Sequence, residues 1–498
     1  MSKFVKGAGI SFIGQLGSTG LKYLTQVTLA WIFGAEVFGL YTLGLVFYQF
    51  CDLFARLGLE FGAVRYVAIS TTAESRPKLK GVLLTVLGLP FMFGCVLGGM
   101  LFYSSSLIAT DIFQKPALAV VLQVFSLAIP VGASMTTGSF ATTGFQTTLY
   151  RVLVFDLIVP FTNLLFATCL GLIGFRLFGA SLAWLIALIV GLILIFYFIY
   201  NLFPDITSSK VKPAFNLKEI ISFSLPLSFG TFVWLLLIWT DILMLGYYNS
   251  ASAVGIYRAA SQTAFLMILF DRSLITIFAP TIANLFNQEK LSEANQLYKT
   301  STRWNFILTF PLFIILTISS QHILKIYGSD FQAAWIILII LATGQLTRSG
   351  GGGVCMHMLA MSGHQYLKLY GDIALAITNI TLNFLLIPLW GPLGASIATA
   401  SSMAGINLVR VIQVKYVLGV YPYSLRDFKI IICGVVTAIS GYLIQYFLHD
   451  ISYLLIIAIS ALIMIFIYTS MLFLTALNED DKRLINQYKV KINKFIKA

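Results

Sequence analysis

Long apolar stretches of about 20 residues, separated by short polar breaks, recur along the whole chain. A helix needs about 20 residues to cross the roughly 30 Å hydrocarbon core of a bilayer. Only 10% of the 498 residues are charged and 58% are hydrophobic, whereas a soluble domain carries about 25% charged residues. The sequence therefore predicts an all-α polytopic membrane protein and excludes a water-soluble globular fold.

The apolar windows predict about fourteen transmembrane helices. They span residues 8–33, 38–64, 81–103, 116–136, 152–173, 179–203, 220–246, 253–284, 304–326, 332–360, 369–389, 393–415, 429–448 and 452–476. The first run follows Lys3 and Lys6 and lacks a small-residue cleavage pattern. We therefore expect a retained first helix and not a removed signal peptide.

The placement of Lys and Arg gives the orientation, because cytoplasmic loops of membrane proteins are enriched in both residues. With a cytoplasmic N-terminus, 23 of the 32 basic residues fall in inward segments, three in outward segments and six inside spans. An error of one helix in the middle would reverse this asymmetry in every later loop. We predict that both termini are cytoplasmic. The net charge of +13 then reflects membrane topology, and no nucleic-acid partner is expected.

Several short patches recur at a nearly constant offset. Gly39-Leu40-Tyr41 recurs as Gly255-Ile256-Tyr257, an offset of 216, which also relates Arg56 to Arg272 and Asp156 to Asp372. Residues 143–146 resemble 362–365, and 179–183 resemble 394–398. The repeat unit is six helices, an even number, so both halves keep one orientation about a pseudo-two-fold axis along the membrane normal. Transport sites in such folds lie between the halves.

The predicted organisation follows from this repeat. An N-lobe of six helices covers 1–203, a cytoplasmic linker covers 204–219, and a C-lobe of six helices covers 220–417. Two additional helices cover 429–476. A basic tail over 477–498 is expected to lie on the anionic inner leaflet.

Six cations lie inside the predicted spans: Lys22, Arg56, Arg258, Arg272, Arg348 and Arg410. Each costs about 2.5–3.5 kcal/mol at a helix centre on insertion scales, so such side chains face cavities instead of lipid. Structural ion pairs, or snorkelling to the interface, are the alternative, which we favour for Arg348 and Arg410. Asp52 lies four residues before Arg56 and could pair with it. Helices 1, 2 and 8 can still supply a basic cavity wall, which suits an anionic, phosphate-bearing substrate.

No recognisable enzyme or metal motif accompanies these cations. The five cysteines are dispersed in apolar stretches, without a CxxC pair or a Cys/His cluster, so neither a disulfide framework nor a thiolate metal site is predicted. A membrane enzyme, such as a polysaccharide polymerase, would need carboxylates or arginines on sizeable outward loops. Only the isolated Asp111, Asp330 and Asp450 occur there. We therefore predict a transporter and not an enzyme.

The segment Phe33-Gly34-Ala35-Glu36-Val37-Phe38-Gly39-Leu40-Tyr41, followed by Asp52, Gly58 and Arg65-Tyr66, resembles the opening of the polysaccharide-biosynthesis flippases. These belong to the multidrug/oligosaccharidyl-lipid/polysaccharide exporter superfamily and are related to the lipid II flippase. The resemblance implies a bacterial inner-membrane flippase. It would move undecaprenyl-diphosphate-linked oligosaccharide repeat units, such as O-antigen, capsule or exopolysaccharide precursors, from the inner to the outer leaflet by alternating access.

The resemblance leaves one alternative function open and suggests binding partners. A cation-coupled drug antiporter of the same superfamily is the alternative, but it would favour an acidic cavity. The lipid-linked oligosaccharide and the bilayer are the implied partners, polysaccharide polymerase and chain-length proteins are further candidates, and the chain is expected to function as a monomer.

The resemblance also implies site residues. Lys22, Arg56, Arg258 and Arg272 match the placement of functional cations in the lipid II flippase and would grip the diphosphate. Asp241, Asn379, Asn383 and Thr399 resemble its sodium site, although that relative has a carboxylate where this chain has Asn383. Hydrogen bonding between helices is the structural alternative for these residues. Asp156, Asp241 and Asp372 are candidates for proton coupling. No cofactor is expected beyond Na⁺ or H⁺ as coupling ion.

Overall fold

The computed structural model describes residues 2–72, 75–424, 427–448, 450–476 and 481, with side chains from residue 14 onward except at 276, 277 and 476. These ranges contain helices and short turns and no strand. The basic tail predicted over 477–498 lies outside the described residues except for Asp481.

The α-helices among the described residues are numbered in chain order. They are α1 Ser2–Arg56, α2 Leu59–Ile69, α3 Arg76–Leu107, α4 Leu118–Gly144, α5 Leu149–Arg151, α6 Val159–Leu172, α7 Arg176–Leu202, α8 Leu217–Tyr248, α9 Ala251–Ala264, α10 Ile268–Asn287, α11 Leu291–Ile318, α12 Ser320–Lys325, α13 Trp335–Thr347, α14 Gly353–Met361, α15 Gln365–Leu418, α16 Phe428–Phe447 and α17 Tyr453–Met471.

Twelve helical stretches in the described part of the chain are long and apolar enough to cross a membrane. The two longest, Gly14–Ile69 and Gln365–Leu418, have 56 and 54 residues, more than twice the roughly 20 needed for one crossing. Both are broken at a glycine with positive φ, Gly34 (φ 78°) and Gly391 (φ 54°). The predicted all-α multi-pass fold is confirmed.

The predicted count of fourteen depends on these two long helices. It would require each to cross the membrane twice, on either side of its glycine break. Gly34 lies between the predicted spans 8–33 and 38–64 and follows the first directly, while Gly391 lies between 369–389 and 393–415. Glycine suits such breaks because it lacks the Cβ that disfavours positive φ. The count itself stays a prediction.

Contacts along the chain define two compact units. The first comprises residues 1–263, 326–337 and 372–399, and within it α4 packs along α1, α3 and α7. The second comprises 264–325, 338–371 and 400–498, and within it α11 packs against α10, α16 and α17. These units do not test the predicted division into lobes, which stays a prediction.

Inside the first unit, α1 and α9 cross at the glycines of the repeated motif. A Cβ at Gly39 would overlap the carbonyl oxygen of Ala251, and a Cβ at Gly255 would overlap that of Ala35. Ala35 and Ala251 are themselves 216 residues apart. The contact is therefore reciprocal, as expected for two copies of one unit about a pseudo-two-fold axis.

Candidate functional site

A cavity of about 390 Å³ lies within the first unit, lined by residues of α1, α4, α6, α7 and α9. Three of the four cations predicted to bind substrate line it: Lys22, Arg56 and Arg258. Asp52 is the carboxylate among the lining residues. We call this space the basic cavity. Its volume falls within the range of about 300–1,000 Å³ typical of small-molecule sites.

Arg56 is held by two carboxylates. Its Nε lies 3.0 Å from Oδ2 of Asp52, and its Nη1 lies 3.0 Å from Oε1 of Glu60. The sequence indicated Asp52 as a partner but missed Glu60, which lies one helical turn beyond Arg56 and across the positive-φ break at Leu57–Gly58. The four-residue spacing suggests this partner, but across the break it does not guarantee the contact. Arg56 is thus a neutralised and well-oriented guanidinium.

Arg258 and Lys22 give the cavity its positive character. Arg258 is 7% exposed and lies over the indole of Trp239, 4.5 Å from the ring centroid, in a cation–π contact. It forms no ion pair with any carboxylate that the structure describes. The ammonium of Lys22 lies 5.3 Å from the ring centroid of Phe155. Together, the three cations and the carboxylates of Asp52 and Glu60 carry one net positive charge.

The remaining in-span cations belong to the second unit. Arg272 is exposed and does not line the basic cavity. The neighbouring Asp271 is buried, where it pairs with Nε of Arg348 at 2.8 Å and accepts a hydrogen bond from Asn305 at 3.0 Å. Arg348 therefore has the structural ion pair that we favoured for it. Arg410 is buried beside Asn407.

The four residues predicted to bind a cation come together in the first unit. The buried carboxylate of Asp241 accepts a hydrogen bond from Thr399 Oγ1 at 3.0 Å. Asn379 Nδ2 donates to Thr399 Oγ1 at 3.2 Å, and Asn383 Nδ2 donates to Asn379 Oδ1 at 3.1 Å. Tyr257, which the sequence marked only as a repeat residue, also donates to Asp241. We call these five residues the Asp241 cluster.

The oxygens of this cluster fit a hard cation. Asp241 Oδ1 and Asn383 Oδ1 are buried and have no hydrogen-bond partner among the described residues. Hard cations take carboxylate and carbonyl oxygens as ligands, so these two atoms could coordinate one. Asp156 and Asp372 are half-buried and do not belong to the cluster.

The Asp241 cluster has a counterpart in the first half of the repeat. The 216-residue offset relates Asp241 to Thr25, Tyr257 to Tyr41 and Asn379 to Asn163, and the 215-residue offset of the 179–183 patch relates Thr399 to Trp184. All four counterpart residues line the basic cavity. Sequence reasoning missed them, although the repeat patches contained the signal.

A basic cavity and a buried carboxylate cluster among membrane-length helices define the class of protein as a polytopic membrane transporter. The family model described as polysaccharide biosynthesis protein matches residues 4–286, more than half of the chain, and a second model, MatE, matches 226–348. The chain belongs to the polysaccharide biosynthesis protein family, which confirms the predicted family.

Curated relatives are similar over parts of the chain. The probable low-salt glycan biosynthesis flippase Agl15 of Haloferax volcanii is 27% identical over 209 residues, 40% of this chain and 42% of that protein. The match thus spans about two fifths of its length. The succinoglycan biosynthesis transport protein ExoT of Rhizobium meliloti is 23% identical over 349 residues, 68% of this chain and 65% of that protein.

Solved structures share the fold. The lipid II flippase MurJ, in an inward closed conformation, is similar with a TM-score of 0.72 at 17% identity, covering 93% of this chain and 99% of that one. An inward-facing multidrug resistance MATE transporter is similar with a TM-score of 0.63 at 15% identity, covering 81% and 94%. The reported relatives are named as flippases and transporters, which is the class predicted from the sequence.

Proposed function

We propose that this protein flips undecaprenyl-diphosphate-linked oligosaccharide repeat units from the inner to the outer leaflet by alternating access. The observation that carries the proposal is the basic cavity, in which Lys22, Arg56 and Arg258 meet on membrane-length helices. Two relatives named for glycan or succinoglycan biosynthesis support the substrate class. The Lys and Arg distribution supports a cytoplasmic location of both termini, and the family resemblance implies the bacterial inner membrane.

The cations divide the work of binding a diphosphate. Arg258 and Lys22 supply the attractive charge. Asp52 and Glu60 engage Nε and Nη1 of Arg56, which fixes the plane of the guanidinium while leaving Nη2 to donate to a phosphate oxygen. The lipid tail would stay in the bilayer while the glycan passes through the protein. A contact from Arg272 in the second unit stays a prediction.

The Asp241 cluster is the proposed coupling site. Asp241, Asn379, Asn383 and Thr399 would hold a sodium ion, whose binding supplies energy from an ion gradient. With Asn383 in place of a second carboxylate, the cluster carries one formal negative charge, which suits a monovalent cation. Proton coupling through Asp156, Asp241 or Asp372 is the other possibility. The drug antiporter alternative is less well supported, because the cavity carries net positive charge.

Flipping by the reconstituted protein tests the proposal. The wild type in proteoliposomes should move undecaprenyl-diphosphate-linked glycan between leaflets, measured as the fraction accessible to an external glycan-oxidising enzyme. Arg258→Gln should reduce the rate about 10- to 100-fold, because a charge-assisted contact to phosphate is worth about 1.5–3 kcal/mol and its loss leaves the diphosphate poorly held.

A surface cation provides the control. Arg65 lies over the ring of Phe223 and is absent from the lining of the basic cavity, so Arg65→Gln should retain the wild-type rate. Equal rates for Arg258→Gln and Arg65→Gln, with equal amounts of folded protein, would exclude the basic cavity as the diphosphate site.

A further inference from the structure

One part of the basic cavity wall is polar but carries no cation. Gln26 of α1, Asn163 of α6 and Trp184 of α7 line it. The ring of Trp184 contacts Tyr48 edge to face, with 5.9 Å between centroids. Asn163 is 5% exposed. An aromatic ring with a few amide groups is typical of sites that bind a neutral polar ligand.

Several polar atoms of this wall are buried without a hydrogen-bond partner in the described part of the chain. They are Gln26 Oε1, Asn163 Oδ1 and Oδ1 of the adjacent Asp52. Buried polar atoms are rarely left unpaired in folded proteins, because the loss of water is not compensated. These three atoms are acceptor oxygens, so a ligand that fits this wall must offer hydrogen-bond donors.

The need for hydrogen-bond donors favours a sugar over a phosphate as the ligand of this wall. An ionised phosphate offers only acceptors, so it cannot serve the acceptor oxygens of Gln26, Asn163 and Asp52. A sugar hydroxyl both donates and accepts. The pyranose ring also presents an apolar face, which suits the aromatic surface of Trp184.

The repeat provides an independent argument. Trp184 occupies the position that corresponds to Thr399, and Thr25 occupies the position that corresponds to Asp241. The first half thus has a hydroxyl where the second half has a carboxylate, so the position of Thr25 adds no negative charge that would repel a diphosphate. It also has the indole of Trp184 where the Asp241 cluster has the hydroxyl of Thr399.

We propose that Gln26, Asn163 and Trp184 form a subsite for the sugar joined directly to the diphosphate, an inference that rests on the proposed function. The cations of the same cavity place the diphosphate beside this wall. The volume of about 390 Å³ is near the lower end of the range for small-molecule pockets, so it suits the first sugar and not a whole repeat unit. This subsite therefore selects the sugar at the reducing end.

Binding to lipids with and without a sugar tests the subsite. The full-length protein in nanodiscs is titrated with undecaprenyl diphosphate and with the same lipid carrying glucose, galactose or N-acetylglucosamine. The wild type should bind at least one sugar lipid about tenfold more tightly than the bare diphosphate, the gain from one or two hydrogen bonds and ring contact. Trp184→Leu and Gln26→Leu should each remove most of that gain while still binding undecaprenyl diphosphate.

Two variants outside the cavity serve as matched controls. Trp31 is 66% exposed and Gln15 is exposed, and neither lines the basic cavity. Trp31→Leu and Gln15→Leu should retain both affinities, and the thermal transition of every variant is measured alongside.

The outcomes distinguish the two proposals. If the wild type binds the sugar lipids no more tightly than undecaprenyl diphosphate, the subsite is wrong while diphosphate binding stands. If Trp184→Leu weakens bare and sugar-bearing lipids by the same factor, the residue acts on the diphosphate or on folding, and the subsite is again wrong. If no lipid binds the wild type, the proposed function itself fails.

Discussion

The Asp241 cluster and its counterpart in the basic cavity are two versions of one arrangement. Both contain a tyrosine and an asparagine, Tyr257 with Asn379 and Tyr41 with Asn163. They differ in charge, because Asp241 corresponds to Thr25, and in shape, because Thr399 corresponds to Trp184. One copy carries a buried carboxylate suited to a cation, and the other is uncharged and lies beside three cations. The difference shows that one polar framework can surround either a buried carboxylate or an uncharged aromatic wall, depending on two side chains.

The largest expected effect on ligand affinity follows from the charge difference between Asp241 and Thr25. Thr25→Asp would place in the basic cavity the carboxylate that the other copy has. A like charge beside a diphosphate costs several kcal/mol, so affinity for undecaprenyl diphosphate should fall by about 100-fold or more. Thr25→Asn, of the same size without the charge, is the control and should bind nearly as the wild type. Equal binding by both variants would mean that this wall does not face the diphosphate.

Removing the charge from the other copy should have the next largest effect. Asp241→Asn eliminates the formal charge of the Asp241 cluster, and we expect the apparent sodium affinity of flipping to fall by more than about 10–100-fold, the loss seen when only the supporting groups of a metal site are changed. Asn383→Asp, which adds a carboxylate to the cluster, should raise the sodium affinity. Flipping assays at graded sodium concentrations measure both. A wild-type rate that is independent of sodium would favour the proton alternative.

The crossing of the two copies gives a prediction about stability. Gly39→Ala and Gly255→Ala each force a methyl group into a backbone carbonyl across the same pseudo-two-fold contact. Overpacking of this kind costs about 1–3 kcal/mol, and reciprocity implies similar losses for the two variants. Thermal unfolding in detergent measures them, with Gly20→Ala on α1, which meets no neighbour within 4 Å, as the control. A large loss at only one of the two glycines would argue against a symmetric crossing.

Part of this arrangement could be predicted from the sequence, because the length of a helix and its breaks depend on residues that are close together in the chain. The length of each span follows from the local composition. The helix breaks at Gly34 and Gly391 therefore lie beside or between the predicted spans. The resemblance grouped Asp241 with Asn379, Asn383 and Thr399, and these four residues are hydrogen-bonded in the structure. Lys22, Arg56 and Arg258 likewise reach one cavity.

The side-chain contacts that could not be predicted depend on the rotation of each helix about its axis, which sequence spacing does not determine. Asp271 and Arg272 are adjacent, yet successive helical residues differ by about 100° in direction, so Asp271 is buried against Arg348 while Arg272 is exposed. The Arg56–Glu60 pair crosses a break in the helix, where helical spacing no longer guarantees that two side chains meet. The counterpart residues Thr25, Asn163 and Trp184 were missed because none of them is charged.

The smallest predicted effect concerns this neutralised Arg56. Glu60→Gln keeps an acceptor for Nη1 but removes one of the two carboxylates that offset the cations of the basic cavity. The net charge of these groups rises from one to two, so affinity for undecaprenyl diphosphate should increase about threefold, roughly 0.7 kcal/mol. Glu36→Gln, at an exposed position of α1, should leave the affinity unchanged. Because the gain is electrostatic, it should shrink as salt is raised, and a Glu60→Gln variant that binds more weakly would mean that Arg56 needs both carboxylates to hold its orientation.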